Sequence, residues 1–245
     1  MDFIVIGLVA FTASALTFFS GFGLGTLLLP AFAIFFSAPI ALTATGIVHL
    51  LNNLFKGTLV RKNVDWRTVL RFGLPAVPAA ILGAYLLTYL DTRIASIVIG
   101  VILIAFAVLE FQPWFQRLTF PKKYLSLGGV ATGFLGGLSG QQGALRSMFL
   151  LKSDFEAVKY IATGVFIAIL IDLARLPTYL LGLKNVASIT QHEIALIEFG
   201  TFCAFIGAWL GAKYVKKTTI GFIRYIVAGL MLCVGTALIV GLIGG

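Results

Sequence analysis

The chain has 245 residues, of which 60% are hydrophobic and only 11% charged. Its mean hydropathy is +1.05, whereas a soluble domain carries roughly 25% charged residues. These values exclude an ordinary soluble protein. The net charge of +9 does not indicate nucleic-acid binding, because the basic residues lie in short loops between apolar runs.

In chain order the apolar periodicity predicts ten segments, near 3–19, 24–36, 39–60, 68–90, 93–112, 124–138, 143–151, 156–182, 191–214 and 220–243. Most have the roughly 20 residues that cross a bilayer core as a helix, and continuous apolar runs argue against an alternating β-barrel. The expected class is therefore an all-α integral membrane protein. Met1-Asp2 supplies no basic n-region, so the first run is read as a retained span. The second and seventh segments are too short to cross fully and follow glycine-rich breaks. Segments one and two, and six and seven, are read as helical hairpins.

Two blocks recur in the same order. Ser20-Gly21-Phe22-Gly23-Leu24-Gly25 is followed by Ala44-Thr45-Gly46, and Ser139-Gly140-Gln141-Gln142-Gly143 by Ala162-Thr163-Gly164. The offsets are 119 and 118 residues. Glycine-broken apolar segments at matching positions of two halves point to a transporter's binding site.

Assigning loops alternately to two sides puts fourteen Lys and Arg residues, from Lys56 to Arg224, on one side. The other side receives Arg93, Lys184 and Arg175. By the positive-inside rule the richer side is cytoplasmic, and both termini lie outside. Each half then holds an odd number of segments, so matching segments run in opposite directions. The expectation is one membrane domain: a first inverted repeat (1–112), a cytoplasmic linker (113–123) and a second inverted repeat (124–245).

With its two copies of the Ser-Gly and Ala-Thr-Gly blocks and the Pro30 that follows the first, the chain resembles the TauE/SafE family over its whole length. These are membrane proteins associated with export of sulfite and organosulfonates. The second copy departs from the glycine-rich family pattern, with Gln141, Gln142 and Arg146 in place of glycine and Met148 where a proline is expected. The resemblance implies a multi-pass protein of the cell membrane that exports a small anion, and it implies no cofactor.

Arg146 lies inside the second hairpin, where a charge costs roughly 2.5–3.5 kcal/mol and normally faces a cavity or a partner. A guanidinium beside a half-helix N-terminus makes an anion site. Gly21, Gly23, Gly25, Gln141, Gln142, Gly143 and Arg146 are the candidate substrate-binding residues. The competing reading is that Arg146 snorkels or forms a structural ion pair.

A second set suits coupling or gating. His49, Asn52 and Asn53 share one helix face, and a histidine can carry a proton near neutrality. Asp172 and Arg175 are three apart, matching Asn53 and Lys56 at an offset of 119. The plainer alternatives are helix–helix hydrogen bonds for the first group and an interfacial ion pair for the second. The helix carrying Asp172 is expected to end or kink at Pro177.

Cys203 and Cys233 lie in apolar runs and are read as packing residues, not metal ligands. No His-Glu-x-x-His, Gly-x-Ser-x-Gly or P-loop pattern occurs, so neither an enzyme nor a nucleotide-driven pump is expected. The expected partners are a small anionic substrate, bilayer lipid, a coupling proton or cation, and a second copy in a homodimer. An anion channel or facilitator and a non-transport scaffold subunit are the alternatives.

Overall fold

A computed structural model describes residues 1–20, 24–150, 156–183, 189–214 and 220–243. Among these residues the chain is helical, with no strand. The helices are α1 (Asp2–Ser20), α2 (Gly25–Ala33), α3 (Ala38–Val60), α4 (Trp66–Thr88), α5 (Thr92–Glu110), α6 (Pro113–Gln116), α7 (Leu125–Ser139), α8 (Gly143–Leu150), α9 (Ala157–Gly182), α10 (Gln191–Tyr214) and α11 (Ile220–Val240). Ten of them fall on the ten predicted segments. The one-turn α6, in the loop after α5, was not predicted.

Five stretches of helix are long and apolar enough to cross a bilayer: Ala38–Asn63, Trp66–Thr88, Thr92–Glu110, Ala157–Gly182 and Gln191–Lys213. The short segments are short in fact, with nine residues in α2 and eight in α8. At 1.5 Å per residue each covers less than half of a roughly 30 Å core.

Caps set several helix ends. Asp65 accepts from the Thr68 N–H at 2.8 Å and Asp91 from the Ile94 N–H at 2.9 Å, starting α4 and α5. Thr190 and Glu193 bond each other's backbone N–H at the start of α10, as a capping box does. Gly140 ends α7 with φ 77°, a left-handed conformation that glycine adopts without strain. Pro177 does not end its helix, because α9 runs on to Gly182. In a buried helix, neighbouring groups can satisfy the carbonyl that a proline leaves free.

Glycine sets the closest helix contacts. A Cβ on Gly129, Gly133 or Gly137 of α7 would lie 2.1–2.2 Å from the carbonyl oxygens of Phe72, Ala76 and Ala80 on α4. The residue numbers rise together, so the two helices run parallel. On α10, a Cβ at Gly207 or Gly211 would lie 2.2 and 2.5 Å from the Phe11 and Ala15 oxygens of α1, again in parallel register. Helices without a hydrophobic drive between them associate through such small-residue seams.

The pairs α5–α11 and α3–α9 run antiparallel. Gly100 and Gly235 face each other reciprocally: a Cβ on either would meet the other's carbonyl oxygen, at 2.7 and 2.9 Å. Arg93, opening α5, donates to the Leu238 and Ile239 carbonyls at the far end of α11, at 2.9 and 2.5 Å. For α3 and α9, Gly46 lies against Arg175 and Leu176, whereas Gly57 lies against Phe166 and Ile169.

Candidate functional site

The site begins with two amphipathic stripes on helices buried on most sides. On α3, Thr45, His49, Asn52, Asn53 and Lys56 recur at three- and four-residue spacing, all at most 6% exposed. On α9, Asp172, Arg175 and Tyr179 do the same, each 0–1% exposed. Because α3 and α9 are antiparallel neighbours, the stripes face each other. The tip of the α7–α8 hairpin closes against both.

Asp172 is the hub. His49 Nδ1 donates to its Oδ2 at 2.5 Å. Its Oδ1 accepts from Arg175 Nε at 2.9 Å and from Gln142 Nε2 at 3.0 Å. An ionised carboxylate only accepts, so the proton of that contact sits on His49 Nδ1. Asn53 Nδ2 lies 3.1 Å from Nδ1 and 3.3 Å from Nε2, and with the proton on Nδ1 only Nε2 is left to accept from it. Arg175 also donates to the Gly136 carbonyl at 3.1 Å, and Tyr179 donates to the Gly137 carbonyl. The last turn of α7 is thus pinned to α9 by side chains.

The cluster extends both ways. Arg146, 7% exposed, donates to Gln142 Oε1 at 3.4 Å. With its amide oriented to suit its neighbours, Asn52 donates to Ser14 Oγ (3.0 Å) and to the Ala204 carbonyl (3.2 Å) and accepts from Lys56 Nζ (3.2 Å). Helices α1, α3, α7, α8, α9 and α10 all contribute. Two buried polar atoms are left without a partner here: Thr45 Oγ1 and Gln141 Nε2.

The two glycine breaks meet at this depth. A Cβ on Gly25, the first residue of α2, would lie 3.5 Å from Thr45, 3.7 Å from the His49 ring and 3.8 Å from the Gly140 carbonyl oxygen. No side chain caps the N-terminus of α2.

A family model described as Sulfite exporter TauE/SafE matches residues 6–238, nearly the whole chain. The chain belongs to the TauE/SafE family. This is a family of membrane transporters of the sulfite-exporter type, not of enzymes, and with five crossing-length helices the chain is a multi-pass membrane protein. No curated protein and no solved structure matches it.

In this TauE/SafE chain, most of the residues singled out in the sequence come together. His49, Asn52, Asn53, Lys56, Gln141, Gln142, Arg146, Asp172 and Arg175 all lie in or beside the cluster, with Gly25 and Gly143 at the N-termini of the two short helices. Gly21 and Gly23 lie outside the described residues. Three details differ from the sequence reading. Asp172 and Arg175 do not form an interfacial pair, since both are fully enclosed. Gln142 spends its amide on Asp172, so of the two glutamines only Gln141 keeps an open donor. Lys56 does not extend into a loop but is 4% exposed inside α3.

Sequence reasoning missed Ser14, one of four hydroxyl residues in an otherwise apolar helix, with no charged or amide neighbour to single it out. It also missed a clasp at one end of α9. There Lys159 Nζ lies 3.1 Å from Asp65 Oδ2, and the Asp65 N–H donates to Thr163 Oγ1 at 3.1 Å. Burial pushes the Asp65 carboxyl up, but the Thr68 N–H and the Lys159 ammonium outweigh it and hold it below the ordinary carboxylate value. Free Cys203 and Cys233 form no disulfide.

Proposed function

We propose that this chain is a secondary transporter that moves a small anion, sulfite or an organosulfonate, outward across a cell membrane. The carrying observation is that Lys56, Arg146 and Arg175 are all buried in one cluster, beside the Gln141 and Gln142 amides. Buried basic and amide donors gathered in one place suit a ligand that is anionic and rich in acceptor oxygens. Arginine forks and a half-helix N-terminus suit the oxygens of a sulfite or sulfonate group.

The proposed frame is a pair of inverted repeats, 1–112 and 124–245, joined by a cytoplasmic linker at 113–123, with both termini outside. The parallel seams α4–α7 and α10–α1, which such an operation exchanges, support it, as do the antiparallel pairs α3–α9 and α5–α11, which it maps onto themselves. Alternating access around the cluster is the mechanism this frame suits. His49 and Asp172 are the groups that would couple a proton or cation to it; Asn53 and Arg175 bond them, and Asn52 and Lys56 would act beside them in gating.

Counterflow of radiolabelled sulfite in proteoliposomes tests this reading. Unlabelled sulfite inside should accelerate uptake of label. Channel-sized currents without trans-stimulation would replace the carrier by an anion channel. Arg146→Ala should cut uptake at least roughly tenfold, as expected for a lost charge-assisted bond. Unchanged uptake would remove Arg146 from the site.

A further inference from the structure

Thr45 and Thr132 stand apart from the other threonines of the described helices, and of the two only Thr45 lies beside the cluster. A helical threonine ordinarily satisfies its hydroxyl by bonding back to the carbonyl four residues earlier. Thr12 does so to Leu8 (2.6 Å), Thr43 to Pro39 (2.9 Å), Thr201 to Ile197 (2.8 Å) and Thr236 to Leu232 (2.8 Å). Thr45 is 0% exposed, and its hydroxyl has no hydrogen-bond partner, the Ala41 carbonyl included. Its counterpart in the second Ala-Thr-Gly block, Thr163, has its oxygen occupied by the Asp65 N–H.

The surroundings of the Thr45 hydroxyl are those of a ligand contact. One turn along α3 is His49. The next residue, Gly46, faces the Arg175 guanidinium, which a Cβ would approach to 3.4 Å. The Thr45 methyl group lies against the start of α2, 3.5 Å from where a Gly25 Cβ would sit. Gly140 presses on Leu42, one turn before Thr45, and is followed by Gln141, whose amide nitrogen is the other open donor. A buried donor with no acceptor is destabilising in the empty protein unless something supplies the acceptor. Two such donors, one beside the start of α2 and one at the α7–α8 tip, share one need: an oxygen-rich ligand.

We infer that Thr45 is a substrate-recognising residue, whose hydroxyl, with the Gln141 amide, donates to oxygens of the bound oxyanion. This inference rests on the anion-transport reading above. Thr45 reads the ligand from the first half and Gln141 from the second, so the ligand bridges the two hairpins. The cations supply the charge selection, and these neutral donors select an oxygen-bearing anion over a bare halide.

Binding of sulfite and of methanesulfonate to the purified full-length protein, by calorimetry, tests this. Thr45→Val keeps the shape and removes the donor, and it should weaken binding roughly tenfold, the value of a hydrogen bond to a charged ligand. The melting temperature should not fall, since no protein bond is lost. Thr45→Ser should stay close to wild type. Thr132→Val, at a second buried hydroxyl without a partner but on the α7 seam, should bind as wild type. If the wild-type protein binds neither anion, the underlying transport reading fails and this one with it. If it binds and Thr45→Val binds equally well, this inference alone is overturned. A drop in melting temperature with unchanged affinity, or equal loss in Thr45→Ser, likewise overturns it.

Discussion

His49 of α3 and Asp172 of α9 meet at 2.5 Å across 123 residues of sequence, with Asp172 wholly enclosed. Asp172 also compensates the Arg175 guanidinium. Removing it leaves a buried cation without its counter-charge. Asp172→Ala should therefore lower stability by about 3–5 kcal/mol, read as a large fall in melting temperature in detergent. Replacing Asp172 and Arg175 together by Leu should cost less than Asp172→Ala alone. A double mutant at least as unstable as the single one would show that the pair is not the reason for the loss.

The α4–α7 seam is equally specific. Gly133→Ala places a methyl group where the Ala76 carbonyl oxygen lies 2.2 Å away, and backbone cannot rotate aside. Overpacking of this kind costs about 1–3 kcal/mol. Gly229→Ala meets nothing within 4 Å and should be neutral or slightly stabilising. Thermal unfolding of the two variants side by side checks the contrast.

Gly140→Ala tests the hairpin tip. With φ at 77°, any other L-residue is strained by about 1–2 kcal/mol, and the new methyl group would sit 3.0 Å from Leu42. The expected result is impaired sulfite binding, because Gln141 and Gln142 follow directly. Retained affinity would show that the tip tolerates displacement.

The Asp65–Lys159 clasp predicts a pH dependence. The folded-state value of Asp65 is depressed, so its contribution is present above the ordinary carboxylate value of 3.8. It is lost as pH falls through the depressed value. Asp65→Asn should thus be less stable than wild type at neutral pH, with the gap closing only in strong acid. A gap that closes between pH 5 and 7, roughly the histidine range, would assign the effect to another group.

Much of this was legible in the chain. Apolar run length placed ten helices, because bilayer thickness and helix rise leave little choice. The short α2 and α8 were visible as runs truncated by glycine. The polar stripe of α3 followed from the spacing of His49, Asn52 and Asn53. What could not be read was which stripe met which. The His49–Asp172 contact depends on α3 and α9 being antiparallel neighbours at one depth, a tertiary fact. Nor does a sequence distinguish Gln141 from Gln142: their roles differ because Gly140 turns the chain between α7 and α8. At Pro177 the helix does not end, one of the two outcomes expected there, since a local helix breaker is tolerated in a buried setting.

On the proposed repeat, Asn53 and Lys56 occupy the slots that Asp172 and Arg175 occupy in the other half. One slot holds a neutral amide and its counterpart the carboxylate. The backbone frame can be two-fold while its electric field is not. On this proposal an anion held between the hairpins would meet the paired Asp172 and Arg175 on one side and Lys56 on the other, so its resting place would lie off the axis. The routes to the two faces of the membrane then differ in slope, although the helices that line them match. A few unequal side chains on an equal scaffold would in this way set how fast each face loads and empties, while the gradients set the net direction.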